Sequence, residues 1–139
     1  MARPRFLRVE FRVAFDDHST LNACLEALVS QNMWQRRVLT AHNQAPAPLY
    51  QTRVVYRRDP PGAREWFRSL ARVYSTGWGD CDDLAAIRAA ELRAEGVKAL
   101  AEVRRTPNPR TLHAVVTDGT RIIEDPCAIL AALGRYDAP

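Results

Sequence analysis

Lysine is nearly missing from this sequence: Lys98 stands alone, and the rest of the positive charge is arginine. The three cysteines, Cys24, Cys81 and Cys127, form no CxxC pair, and their odd number and wide spacing argue against a disulfide framework or a zinc ribbon. A reducing compartment suits them. There is no run of about 18 apolar residues, so no membrane span is expected. The opening Met1-Ala2-Arg3-Pro4-Arg5 leads into alternating charge rather than an apolar signal segment, which gives the expectation of an unsecreted, cytoplasmic protein. No internal repeat or low-complexity segment occurs. No recognition helix, zinc finger or aromatic RNA-binding signature accompanies the arginines, which are spread over the chain. The net charge of +4 and the pI near 9.3 therefore read as a solvated surface, with weak polyanion attraction as the lesser alternative and no nucleic-acid partner called for.

What is present fits one domain: 139 residues, 47% hydrophobic, is enough for a single core and too little for two. Residues 7–15 alternate apolar and charged side chains, a strand with one buried face. Asp16-Asp17-His18-Ser19 supplies turn and N-cap chemistry. Leu21, Cys24, Leu25, Leu28 and Val29 then recur at helical spacing, which makes core packing the default for Cys24. The pattern blurs at residues 30–32 and resumes with Met33, Trp34 and Val38, compatible with one long helix or two; His42 falls at its C-terminal end. A proline-bearing connector, residues 43–48, leads to an extended piece at Val54-Val55-Tyr56. A helix is expected next, with Trp66, Leu70 and Val73 on one stripe and Phe67 and Tyr74 beside it, all core residues together with Trp34. A small-residue-rich helix over about 81–95 stops at Gly96, followed by a strand over 97–103 and two strands, 112–117 and 121–124, around Asp118-Gly119. A short helix over 127–133 and a polar tail close the chain.

The chemistry gathers at Gly77-Trp78-Gly79-Asp80-Cys81-Asp82-Asp83-Leu84, where a glycine-punctuated loop runs into a helix and the junction residue is cysteine. A thiol over the first-turn amides gains from the positive helix end, which favours thiolate. Thiol catalysis further needs an imidazole to take the proton and a carboxylate or amide to orient it. His113, on a sheet strand, and Asp125, at a strand end, supply those types 32 residues beyond Cys81 and 12 beyond His113.

Gly79-Asp80-Cys81, then Gly96-Val97-Lys98-Ala99, Leu112-His113-Ala114-Val115 and Glu124-Asp125-Pro126 resemble the core of the transglutaminase-like cysteine enzyme superfamily, in the small form found among tailed phages and prophages. The resemblance spans about residues 50–130, leaving 1–45 as an N-terminal strand-and-helix extension. It implies an α+β fold with a papain-like, transglutaminase-like core, in which the nucleophile helix packs on an antiparallel sheet. It makes Cys81 the nucleophile, His113 the general base and acid, and Asp125 the residue that orients His113. The Cys81 backbone N–H would serve the oxyanion hole. The second donor has no unambiguous match, and Trp78, Tyr56 and Gln51 are candidates. The implied activity is acyl transfer on a peptide or amide substrate without cofactor or metal, by hydrolysis or by transglutaminase-type cross-linking, with virion association if the chain is phage-encoded.

Two features weigh against this reading. Asp80, Asp82 and Asp83 crowd the thiol with negative charge, although helix-start stabilisation is their simplest role. Register is the other: a two-residue turn at Asp118-Gly119 would put His113 and Asp125 on opposite faces. A three-residue turn or a bulge, pairing residue 113 with 123, would bring them to one face. The competing function is a non-catalytic phage or bacterial assembly or interaction module. Cys127 reads first as a small buried residue and second as a zinc partner or redox-sensitive thiol.

Overall fold

A computed structural model describes residues 18–60, 66–107 and 112–137. The strand expected over residues 7–15 lies outside the described residues. The first element, α1 (His18–Ala41), is one unbroken helix. Its inward face runs Leu21, Leu25, Leu28, Val29, Asn32 and Gln35. The stripe blurred in the sequence because Asn32 and Gln35 continue that buried face with polar side chains. Asn32 Oδ1 accepts the Leu70 N–H (2.8 Å) and Gln35 Oε1 accepts the Ala71 N–H (3.0 Å), two first-turn amides of the next helix, α2 (Leu70–Thr76).

That capping sets where α2 starts. The helix does not include Trp66 or Phe67: Ser69 is extended (φ −70°, ψ 166°), and Asp83 Oδ1 takes the Arg68 N–H at 2.6 Å. Trp66 is exposed and Trp34 is 61% exposed, so neither is the core residue their helical spacing indicated; Trp34 lies on the outer face of α1. Cys24 is only half-buried.

Between α1 and α2 come a single 3₁₀ turn at Leu49–Gln51 and β1 (Val55–Arg57). β2 (Trp78–Gly79) precedes the central helix α3 (Cys81–Ala94). Gly96 (φ 83°) ends α3: its N–H reaches Arg93 O and the Val97 N–H reaches Leu92 O, closing the last turn around a left-handed residue. β3 (Leu100–Arg105), β4 (Leu112–Thr117) and β5 (Ile122–Glu124) form an antiparallel sheet in that order. β3 begins later than the apolar alternation indicated, and the Ala99 carbonyl just before it is held by Arg93 Nε (2.6 Å). After α4 (Pro126–Ala132), the tail is not purely loop. β6 (Tyr136–Asp137) pairs parallel with β1, which also pairs parallel with β2, giving a second small sheet of order β2-β1-β6.

The architecture is α+β. α3 divides its core. Ala85, Ala86, Ala89 and Ala90 meet Leu25 and Val29 of α1 and Ala101, Val103, Ala114 and Val116 of the antiparallel sheet. Leu84 and Ile87 pack instead with Leu49, Tyr56, Leu70, Cys127 and Leu130. Alanine on the first face lets helix and sheet approach closely, and α1 is part of this core rather than an appendage to it. Among the described residues, no helix is long and apolar enough to cross a membrane.

Candidate active site

Cys81 is the first helical residue of α3 and borders both halves of the core. Asp80, extended at φ −91° and ψ −173°, is the N-cap. Its Oδ1 accepts the Asp83 N–H (3.2 Å) while Asp83 Oδ2 accepts the Asp80 N–H (3.1 Å), a reciprocal capping box. Asp83 is fully buried and also holds Arg68 through its backbone N–H and at 3.1 Å through its guanidinium. Arg68 reaches on to Asp59 (2.9 Å) and lies 4.2 Å from the centroid of the Trp78 ring. Two of the three acids beside the thiol are thus committed to the helix start.

Burial raises the carboxyls of both Asp80 and Asp83. Asp83 is drawn back down by its bonds from Arg68 and Asp80, whereas Asp80 is pushed further up by Asp83, Asp59 and Asp82. Asp82 is the acid that touches the thiol: Cys81 Sγ donates to its Oδ1 at 3.9 Å.

His113 and Asp125 meet through a bulge. Thr117 pairs with Ile122 but Val116 pairs with Glu124, so one extra residue enters β5. The loop is four residues long rather than three, because Asp118 organises it. Its Oδ1 accepts the Thr120 and Arg121 N–H groups (2.8 and 2.7 Å), and its own N–H bonds Arg121 O. Residue 113 therefore does not pair with 123. Continued past Glu124, the register sets Asp125 opposite Val115, diagonal to His113 on the same face.

His113 Nε2 lies 2.9 Å from Asp125 Oδ2. Asp125 is also the N-cap of α4, its Oδ1 accepting the Ala128 N–H at 3.3 Å, with Pro126 at the first helical position. Each carboxylate oxygen has its own task. When Nε2 is the donor in this bond, the lone pair of a neutral His113 is on Nδ1.

Glu124, the preceding residue, anchors this end of β5. Arg88 of α3 grips it with Nε (2.9 Å) and a terminal nitrogen (3.0 Å), and the Tyr50 hydroxyl donates to it at 2.5 Å. Burial raises the Glu124 carboxyl, but Arg88 and Tyr50 outweigh it and leave the group below its ordinary value. Arg88 bonds Glu91 as well (3.0 Å), and Glu91 accepts the Leu49 N–H (2.7 Å). α3 is thereby tied to both the base of β5 and the 3₁₀ turn. Sequence reasoning missed Arg88, Glu124, Tyr50 and Arg68. The only local hints were that Glu124 adjoins Asp125 and that Arg88 follows Cys81 by two helical turns.

Ala114 and Val116 face α1 and α3, so strand alternation sends His113 to the other face of β4, toward the start of α4. There Cys127 joins it: one ligating atom from each of His113, Asp125 and Cys127 lies within 4.8 Å of the others. Cys127 is 3% exposed, and burial, then the nearby Cys81 and Asp125, push its thiol far up. Of the three oxyanion candidates, Tyr56 stands in the field of Cys81 and Cys127. Its hydroxyl accepts from Arg58 Nε (3.1 Å) and is pushed up to about 12, chiefly by burial. Trp78 is engaged by Arg57 and Arg68, and Gln51 is exposed on the 3₁₀ turn. Compared with known proteins, the chain matches no family model, no curated protein and no solved structure.

Proposed function

We propose that this protein is a thiol-dependent acyl-transfer enzyme with a papain-like, transglutaminase-like core. Cys81 attacks an amide carbonyl, His113 takes the thiol proton at Nδ1 and returns it to the leaving amine, and Asp125 holds the imidazole through Nε2. Water then resolves the thioester, making the enzyme a peptidase or amidase; an amine acceptor would give cross-linking instead. The Cys81 N–H would be one oxyanion donor, and the Tyr56 hydroxyl, in the field of Cys81, is the candidate for the second. The observation that carries the reading is the 2.9 Å bond between His113 Nε2 and an Asp125 whose other oxygen is fixed in a helix cap. A base oriented in this way is what the chemistry requires.

One observation favours the second reading, a non-catalytic interaction module: Cys81 Sγ donates to Asp82 Oδ1. A carboxylate beside a thiol disfavours the thiolate. The two readings differ in the pH dependence of Cys81 alkylation, followed peptide by peptide. Catalysis requires rapid labelling at about pH 6 that is lost in His113→Ala. Labelling that rises only near the ordinary thiol value of about 8.5, indifferent to the substitution, would leave the module.

A further inference from the structure

Cys127 has no part in the proposed reaction, yet its thiol belongs to the same group of side chains as His113 and Asp125. The three offer sulfur, nitrogen and oxygen within 4.8 Å of one another. We propose that they form a three-ligand site for a zinc-class divalent cation, and that filling it silences Cys81.

The donor set is that of a borderline-soft ion, which favours zinc over magnesium or calcium. Bond lengths near 2.0–2.3 Å place tetrahedral ligand atoms about 3.3–3.8 Å apart. His113 and Asp125, now 2.9 Å apart, would open slightly, and the thiol would close in from at most 4.8 Å. Asp125 and Cys127 both come from the start of α4, Asp125 as its N-cap, so two ligands ride on one element and His113 approaches from β4. His113 and Asp125 retain side-chain exposures of 27% and 33%, which leaves a path from solvent to a site whose third ligand is buried. Asp125 Oδ1 keeps the Ala128 N–H as support.

Coordination replaces the hydrogen shared by Nε2 and Oδ2. The Nε2, Oδ2 and Sγ lone pairs bind the cation, the Cys127 proton leaves to solvent, and the imidazole proton moves from Nε2 to Nδ1. That last shift silences the enzyme, because Nδ1 is the atom that would accept the Cys81 proton. Only this consequence rests on the catalytic reading; the metal site does not.

Co²⁺ serves as a spectroscopic probe for zinc. Titrated into the full chain, it should saturate at one equivalent with a thiolate-to-metal charge-transfer absorption, and Zn²⁺ should displace it. The absorption should vanish in Cys127→Ala and persist in Cys81→Ala, and His113→Ala should weaken binding by at least about tenfold. No thiolate absorption in the wild type, or one that survives Cys127→Ala and disappears in Cys81→Ala, overturns the site. Should Cys127→Ala fold poorly by circular dichroism, the wild type decides: zinc must protect Cys127 from alkylation during partial opening in mild denaturant, and equal labelling with and without zinc refutes it. For the silencing, one equivalent of Zn²⁺ should slow Cys81 alkylation at about pH 6 by about tenfold or more. A bound metal with unchanged Cys81 labelling would overturn that half. An ordinary Cys81 without metal would defeat the catalytic reading while the cobalt absorption still decides the site.

Discussion

Asp80 lies among carboxylates, with the Arg68 guanidinium 3.9 Å away, and its burial in that group favours the protonated form. Among the described residues Asp59 Oδ2 is buried and receives no donor, and burial together with Asp83, Asp59 and Asp82 holds the Asp80 carboxyl well above the usual range. A proton kept on Asp80 relieves the repulsion within this group of acids, while Asp83 holds the Arg68 guanidinium at 3.1 Å. The consequence for stability has a definite sign. A carboxyl whose folded pKa is raised favours the fold at low pH, and that contribution drains away as pH climbs from about 4 toward the folded value. Asp80→Asn keeps the N-cap oxygen and carries no charge, so it mimics the protonated form. Urea midpoints should nearly coincide for wild type and variant at about pH 4, with the variant gaining on the wild type toward pH 8 by at most about 1.4 kcal/mol per pH unit. A constant difference across that range would mean that Asp80 is ionised in the fold. At this scale the sequence displayed what is local: Cys81 at a helix start, and acids beside it that stabilise that start. It hid the bonds of Arg68 to Asp83 and of Arg88 to Glu124, which span 15 and 36 residues and leave no periodic trace.

Elements are held to one another at a few such points. Gly79 sits where β2 turns into α3, and a Cβ there would stand 3.1 Å from Asp83 Cβ, 3.3 Å from Val73 Cγ2 and 3.4 Å from Leu84 Cδ2. Asp83 is pinned by the capping box and cannot yield, so Gly79→Ala should cost about 1–3 kcal/mol in chemical denaturation. Gly77→Ala, in open space at φ 82°, should cost only backbone strain, about 1 kcal/mol. The Arg88 link is different in kind. Arg88→Met leaves the 3% exposed Glu91 and the half-buried Glu124 without their shared cation, and should cost about 3 kcal/mol. Arg88→Met combined with Glu124→Gln should recover part of the loss, whereas simple additivity would show that the pair is not coupled. Periodicity exposed α3 and, a few residues early, β3, while the Asp118-Gly119 turn marked β4 and β5. It failed for α2, whose start is set by Asn32 and Gln35 from another helix. It failed too for β2 and β6, each two residues long, too short to carry an alternation.

The two halves of the core share α3 as their common wall, and this fixes how the molecule should unfold. One half holds α1 and the antiparallel sheet, the other the 3₁₀ turn, β1, α2 and α4. Neither half is complete without α3, because Ala85, Ala86, Ala89 and Ala90 line one and Leu84 and Ile87 the other. Polar links cross the same boundary: Gln35 and Asn32 reach α2, and the Tyr50 hydroxyl of the 3₁₀ turn bonds Glu124 of β5. Arg135, beyond α4, bonds the Tyr50 carbonyl at 2.7 Å and so ties the chain end to the 3₁₀ turn. Loss of either half would strip one face of α3 and expose these groups unpaired, so one cooperative transition is expected. Leu25→Ala in the first half and Leu130→Ala in the second, both fully buried, should each cost about 2–5 kcal/mol. Hydrogen exchange read by peptide should then show the slowest amides of α1 and of α4 losing protection by the same amount in both variants. If Leu130→Ala speeds exchange in α4 while α1 keeps its wild-type protection, the halves are separate cooperative units and α3 unfolds with only one of them.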